Sequence, residues 1–265
     1  MEKEILDLAK RLDHSQVSHL DIINWAAPVT SFGNPQTAKI ATLGLNPSDR
    51  EFTDSNGKEL IGTKRRFHTL NSLGLEKWGD LSVDQAKLIA GQCRNYFSGN
   101  PYDGWFKKLD FLISGTSLSY YFPSQEACHL DLVPFATSTK WAKLSREQRK
   151  ELLSEHGDIL AKLINSSVIK IIILNGTTVI NNFKLISDAD YTVTSQPTWN
   201  LSRADGKDIS GFSYECFITR IGDMQLKEKI AILGFNHNIQ SSFGITSYVQ
   251  SQIRVWIANQ SNQLL

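Results

Sequence analysis

No apolar run in this sequence is long enough to span a bilayer, which argues against a helical membrane protein. The first twenty residues carry charge throughout and lack the apolar stretch of a secretory signal, so a cytoplasmic protein is expected. Cysteine is scarce. Cys93, Cys128 and Cys216 are far apart and odd in number, fitting neither a disulfide framework nor paired zinc-ligand spacings. A four-cysteine iron–sulfur cluster is excluded within one chain, and ordinary buried thiols are expected. Net charge is nearly absent at +1, so attraction to a polyanion must come from local clusters, of which Lys64–Arg65–Arg66 is the clearest. Also missing are a Gly-x-Gly-x-x-Gly fingerprint, a phosphate-binding P-loop and a Gly-x-Ser-x-Gly elbow. Repeats and low-complexity tracts are lacking too.

What is present is the composition of a folding chain. Hydrophobic residues make up 41% and charged residues 21% of 265 positions, enough for one full core, and a single domain over 1–265 is expected. Short apolar runs at 40–45, 130–134, 168–174 and 230–234 read as strands, each ending in a polar or glycine-containing turn. Helical patterns fall at 104–113, 145–164, 177–183 and 245–258. The clearest begins at Ser145 and Glu147, with Leu152, Leu153, Ile159, Leu160 and Leu163 as its apolar stripe. Residues 49–64 and 188–211 read as loops. Strands alternating with helices predict an α/β fold: a three-layer α/β/α domain around a central, mainly parallel, four-stranded sheet. In such sheets ligands bind beyond the carboxyl ends of the strands. That directs attention to Asn46–Pro47–Ser48, Pro134 to Thr137, Asn175–Gly176–Thr177 and Phe235–Asn236–His237.

Gly44–Leu45–Asn46–Pro47–Ser48 closes the first strand, and taken alone it is compatible with an ordinary strand-to-loop turn. Followed by a mid-chain apolar strand with one acid, by Leu174–Asn175–Gly176–Thr177, and by a last strand leading to a histidine loop, it resembles the uracil-DNA glycosylase superfamily. The likeness runs over residues 38–258 and rests on the order of the motifs. The family's first motif is Gly-Gln-Asp-Pro-Tyr, or Gly-Ile-Asn-Pro-Gly in the mismatch and thymine branch. Its last is His-Pro-Ser-Pro-Leu-Ser, where this chain has His237–Asn238–Ile239–Gln240–Ser241–Ser242.

The resemblance implies a metal-free, cofactor-free DNA glycosylase acting as a monomer, which flips a base from DNA and hydrolyses its bond to the sugar. Asn46 would hold the attacking water, with Asp49 or Glu51 supplying the carboxylate that other members carry at the motif. His237 would donate to O2 of the departing base. Phe67 or Phe52 would stack on the flipped base, either being equally a core residue. Lys64, Arg65, Arg66, Ser241 and Ser242 would take up DNA phosphate. Trp105, Phe106 and Leu109 lie at helical spacing and read as core.

Two positions bear on which base is bound. Uracil-specific members carry tyrosine after the motif's proline, blocking C5 of the base; Ser48 would leave that wall open. Asp131 stands where they carry asparagine. A carboxylate accepts from the N4 amino group of cytosine, and in its protonated form its hydroxyl also donates to N3; against uracil the ionised form faces O4. Capping a helix or pairing with Lys140 is the structural alternative for Asp131. Together these features resemble the phage-defence members that remove glucosylated hydroxymethylcytosine. A uracil or thymine mismatch enzyme, a hydrolase of free nucleosides and a non-catalytic module for modified DNA remain alternatives.

Overall fold

The computed structural model describes residues 1–13, 19–202, 206, 208–240 and 244–265. Its centre is a six-stranded sheet in the order β2-β1-β3-β6-β5-β4, formed by β1 (Ile40–Gly44), β2 (Ala127–Asp131), β3 (Ile171–Asn175), β4 (Thr192–Ser195), β5 (Phe212–Ile221) and β6 (Met224–Phe235). Strands β2, β1, β3 and β6 run parallel, and β5 and β4 extend the sheet antiparallel beyond β6. Every residue of β1 and β3 is buried, as expected where helices cover both faces of a parallel sheet.

The expected four strands are therefore the parallel part of a larger sheet. β5 and β6 are joined through Gly222 and Asp223, with Ile221 paired to Met224 and Gly222 at φ +55°, the left-handed backbone that a tight hairpin needs. β4 lies inside the stretch expected to be loop; its four residues are exposed at the sheet edge, so no apolar run marks it. β2 starts and ends three residues before the apolar run 130–134, because Leu132 and Val133 are buried in the connection after the strand rather than in the sheet.

Seven α-helices surround the sheet among the described residues: α1 (Glu2–Leu12), the single turn α2 (Leu70–Leu73), α3 (Val83–Arg94), α4 (Asp103–Ile113), α5 (Arg146–Asn165), α6 (Thr177–Ile186) and α7 (Ser247–Ser261). α5 begins with a capping box in which Ser145 accepts from Gln148 N–H and Gln148 answers to Ser145 N–H; its expected apolar stripe is buried, and it packs on β5 and β6. α4 packs against α7, and α1 against α3. Cys93 and Cys128 are buried, whereas Cys216 is half-buried. Among the described residues no helix is long and apolar enough to cross a membrane.

The chain leaves β1 for β2 on one side and returns past it to β3 on the other. The crevice beyond the carboxyl ends of β1 and β3 is thus the place where a ligand site is expected in an open α/β sheet.

Candidate functional site

A cavity of about 260 Å³ opens at that crevice. β1 and its following turn contribute Gly44 to Ser48, β2 contributes His129 and Asp131, β3 contributes Asn175, and the loop after β6 contributes Asn238 and Gln240. Phe32, Tyr102, Trp105 and Phe106 form an aromatic wall.

Gly44 carries the first constraint. It is the register partner of Asp131 across β1 and β2, and a Cβ at this position would collide with Asp131 Oδ1 and with His129 Nε2. The absence of a side chain is what lets the Asp131 carboxylate fold over the strand end. His129 Nε2 lies 3.4 Å from Asp131 Oδ1, while its Nδ1 lies 2.7 Å from Thr42 Oγ1, which in turn bonds the buried Tyr120 hydroxyl. This buried chain fixes one carboxylate oxygen. Asp131 therefore neither caps a helix nor pairs with Lys140; its partner is the histidine two residues earlier on the same strand.

Two residues on, the Asn46 amide nitrogen reaches the carbonyls of Pro47 and Phe135 and the hydroxyl of Thr137 at 3.2, 3.2 and 3.0 Å. Those contacts tie the β1 turn to the loop after β2 and set the amide's orientation. Oδ1 accepts no hydrogen bond from the described residues, so it is the atom left for a ligand or water.

Ser48 caps a single 3₁₀ turn, Asp49–Glu51, by accepting from Arg50 N–H. Residues three apart superpose in such a turn, which puts Ser48 and Glu51 on the cleft side together. Asp49 does not line the cleft; its carboxylate accepts from the Ser48 hydroxyl at 3.0 Å. Glu51 is 3% exposed, and its Oε2 accepts from the Tyr96 hydroxyl at 2.7 Å. Burial pushes the Glu51 carboxyl up to about 7; the Tyr96 hydroxyl and the Arg66 guanidinium, 4.0 Å away, pull the other way, and the Asp131 charge adds to the rise.

On the far wall Asn175 Nδ2 donates to Gln240 Oε1, and Asn175 Oδ1 accepts from Ile239 N–H at 3.1 Å. This orients the Gln240 amide, whose Nε2 is buried and has no partner among the described residues. An unpaired buried donor of this kind costs about 1–3 kcal/mol until an acceptor reaches it.

The structure thus brings Asn46, Ser48 and Asp131 into one cleft, as the sequence pattern expects. Other expected residues lie elsewhere. His237 is 4% exposed and does not line the cavity; its Nε2–H donates to the Trp199 carbonyl at 2.7 Å, because the chain turns the ring toward the 197–199 turn while Asn238 and Gln240 face the cleft. Phe67 and Phe52 are each 1% exposed, packed on one another and on Tyr96 or Trp25. Conversely, Trp105 is half-buried and faces the cavity, while Phe106 and Leu109 are buried in the core as expected, Phe106 also bordering the cavity.

Lys64 is exposed, and Arg66 is held by the carbonyls of Asn100 and Arg50 at 2.9 and 2.8 Å, 5.5 Å from the Tyr102 ring centre. Arg65 is half-buried, with its Nε enclosed and unpaired among the described residues. Ser241 and Ser242 lie outside the described residues. Tyr102, His129 and Gln240 carry no role that the sequence pattern suggests, Trp105 reads from sequence as core, and Glu51 is one of the two acids noted near the motif. Among the described residues no group of three or more His, Cys, Asp or Glu side chains could hold a metal ion. No family model matches this chain, and a search of curated proteins finds no match.

Proposed function

We propose that the protein is a DNA glycosylase that takes one flipped nucleotide into this cleft and hydrolyses its N-glycosidic bond, leaving an abasic site. The observation that carries the reading is the meeting of Asn46 and Asp131 in one base-sized, aromatic-walled cavity at the ends of adjacent parallel strands. Enzymes that act on a base out of the stack read its hydrogen-bonding edge and hold its faces between aromatic side chains. Trp105, Tyr102 and Phe106 offer the faces; Asp131 offers the edge.

With Oδ1 held by His129, the other Asp131 oxygen is the acceptor for the N4 amino group of a cytosine. Ser48 leaves room at C5, so the substrate is a 5-substituted cytosine, hydroxymethylated or glucosylated. Removal of such a base fits defence against phage whose DNA carries it. Asn46 Oδ1 accepts a hydrogen of the attacking water and holds it near the sugar. As the bond to the sugar breaks, its electrons move onto the base, and Gln240, which lines the cleft, is proposed to turn its amide to donate to O2, where charge develops. His237 has no part in this scheme, since its Nε2–H is committed to Trp199. Lys64 and Arg65, with Ser241 and Ser242, are proposed to meet the phosphates. The sheet with helices on both faces is read as a three-layer glycosylase-type domain, acting as a monomer in the cytoplasm.

The test is alkali-sensitive strand breakage of oligonucleotide duplexes carrying a single 5-hydroxymethylcytosine or uracil. Breakage at 5-hydroxymethylcytosine is expected. Binding without breakage would make the protein a recognition module, and equal breakage at uracil would make it a repair enzyme.

A further inference from the structure

Resting on the reading of the cleft as a base-excision site, we propose that Glu51 is a further catalytic residue, the general base that takes the proton of the water held by Asn46. The placement begins in the sequence. Five residues after Asn46, Glu51 ends the Ser48-capped 3₁₀ turn, so its side chain shares the cleft side with Ser48 while the next residue, Phe52, enters the core against Trp25 and Phe67.

The carboxyl is held as a base needs to be held. Oε2 accepts from the Tyr96 hydroxyl, and that hydroxyl is itself fixed by Tyr102 N–H at 2.9 Å. Oε1 accepts no hydrogen bond from the described residues, yet it is not among the enclosed unpaired oxygens, so it is the oxygen open to the cleft. Structural ion pairing does not account for the residue. Arg66 stands at 4.0 Å, and its guanidinium is already donating to the carbonyls of Asn100 and Arg50. A buried carboxyl with so loose a counter-ion weakens the fold, and acids in that situation inside a cleft are candidates for chemistry.

The electrostatics agree with the geometry. The groups facing Glu51 are Tyr96 after α3, Arg66 from the loop before α2, and Asp131 on β2; burial dominates them and pushes the carboxyl up to about 7. A base works best when it titrates close to the pH at which it operates. The step balances as follows: the C1′–N bond breaks with its electron pair leaving on the base, the water oxygen bonds to C1′, and the water proton passes to Glu51 Oε1. The departing base anion takes a proton from solvent. Asn46 and Glu51 each accept one hydrogen of the same water, so the amide aims it and the carboxylate activates it.

The experiment is the pH dependence of kcat/KM for base release from a duplex oligonucleotide containing 5-hydroxymethylcytosine, by wild type, Glu51→Gln and Tyr96→Phe. Wild type should rise to a plateau with a midpoint near 7. Glu51→Gln should lose the rising limb and fall by roughly 100- to 10,000-fold. Tyr96→Phe removes a hydrogen bond that favours the ionised carboxyl, so its midpoint should move upward. An active wild type whose profile is unchanged by either substitution overturns the Glu51 assignment alone. A wild type that releases no base overturns the reading beneath it. Should Glu51→Gln not fold, an unmoved midpoint in Tyr96→Phe still refutes the role of Glu51.

Discussion

Asp131 Oδ1 occupies the space that a Cβ on Gly44 would need, so the glycine that opens the Gly44–Ser48 motif and the acid on the neighbouring strand form one unit. The methyl of Gly44→Ala cannot be accommodated unless Asp131 and His129 both move. Their displacement should misplace the base-reading carboxylate and lower kcat/KM on a 5-substituted cytosine roughly tenfold to a hundredfold, the equivalent of about 1.5–3 kcal/mol for one hydrogen bond to a charged group. Steady-state kinetics beside a thermal melt check this. Wild-type kinetics in a folded variant would mean that Asp131 does not read the base.

Ser48→Tyr should narrow the cleft beside the Asn46 turn and exclude substituents at C5. Excision of 5-hydroxymethylcytosine should fall by at least tenfold, with unsubstituted cytosine affected far less. Competition between the two substrates in a single reaction measures the ratio directly, and equal loss on both places the C5 wall elsewhere.

Glu51 also makes a statement about stability. Its folded-state carboxyl is raised from 4.5 to about 7, so the native state holds this proton more tightly than the unfolded chain does. The stability associated with the protonated carboxyl is fully present below about pH 4.5, is lost as pH rises through 7, and is absent above that. The loss is on the order of 3 kcal/mol for a net rise from 4.5 to about 7, burial outweighing the opposing Tyr96 hydroxyl and Arg66 guanidinium. Glu51→Gln, neutral at every pH, should therefore be more stable than wild type at pH 8 and show little advantage at pH 4.5. Urea denaturation at both pH values gives the difference; an advantage that does not grow with pH contradicts the buried, proton-holding carboxyl.

The parallel strands were legible because burial on both faces writes them as apolar runs: Ile171 to Leu174 is an example that no surface segment imitates. β5 has no apolar run to mark it, because its partly exposed course mixes Glu215, Thr219 and Arg220 among apolar residues; the Gly222–Asp223 turn before Met224 is its one local hairpin signal. α1 is absent from the sequence-based expectations, although Ile5, Leu8, Ala9 and Leu12, all buried, stand at helical spacing. Within the site, Asn46 could be found because a Gly-x-Asn-Pro turn closes an apolar run, whereas Asp131 lies inside the run 130–134 and stands out only through the motif resemblance, the strand ending three residues before that run does. Which aromatic ring faces the cleft is a different kind of fact. Phe67 and Trp105 look alike in sequence, and only the packing of the loops around β1 buries one among Phe32, Phe52 and Tyr96 and turns the other toward the cavity. His237 illustrates the same limit: its position after β6 follows from the strand, but the direction of its ring is set by the carbonyl of Trp199, 38 residues earlier in the chain.

The most direct measurement is mass spectrometry of the free bases released from DNAs containing uracil, cytosine, 5-hydroxymethylcytosine or its glucosylated form, with wild type, Asn46→Ala and Asp131→Asn in parallel. The account predicts that wild type releases a 5-substituted cytosine and little uracil. Asn46→Ala should slow release by one to several powers of ten, and Asp131→Asn should move preference toward uracil, by roughly tenfold to a hundredfold. Wild type that frees uracil as fast as any cytosine derivative, or that frees no base from any of these DNAs, would contradict it.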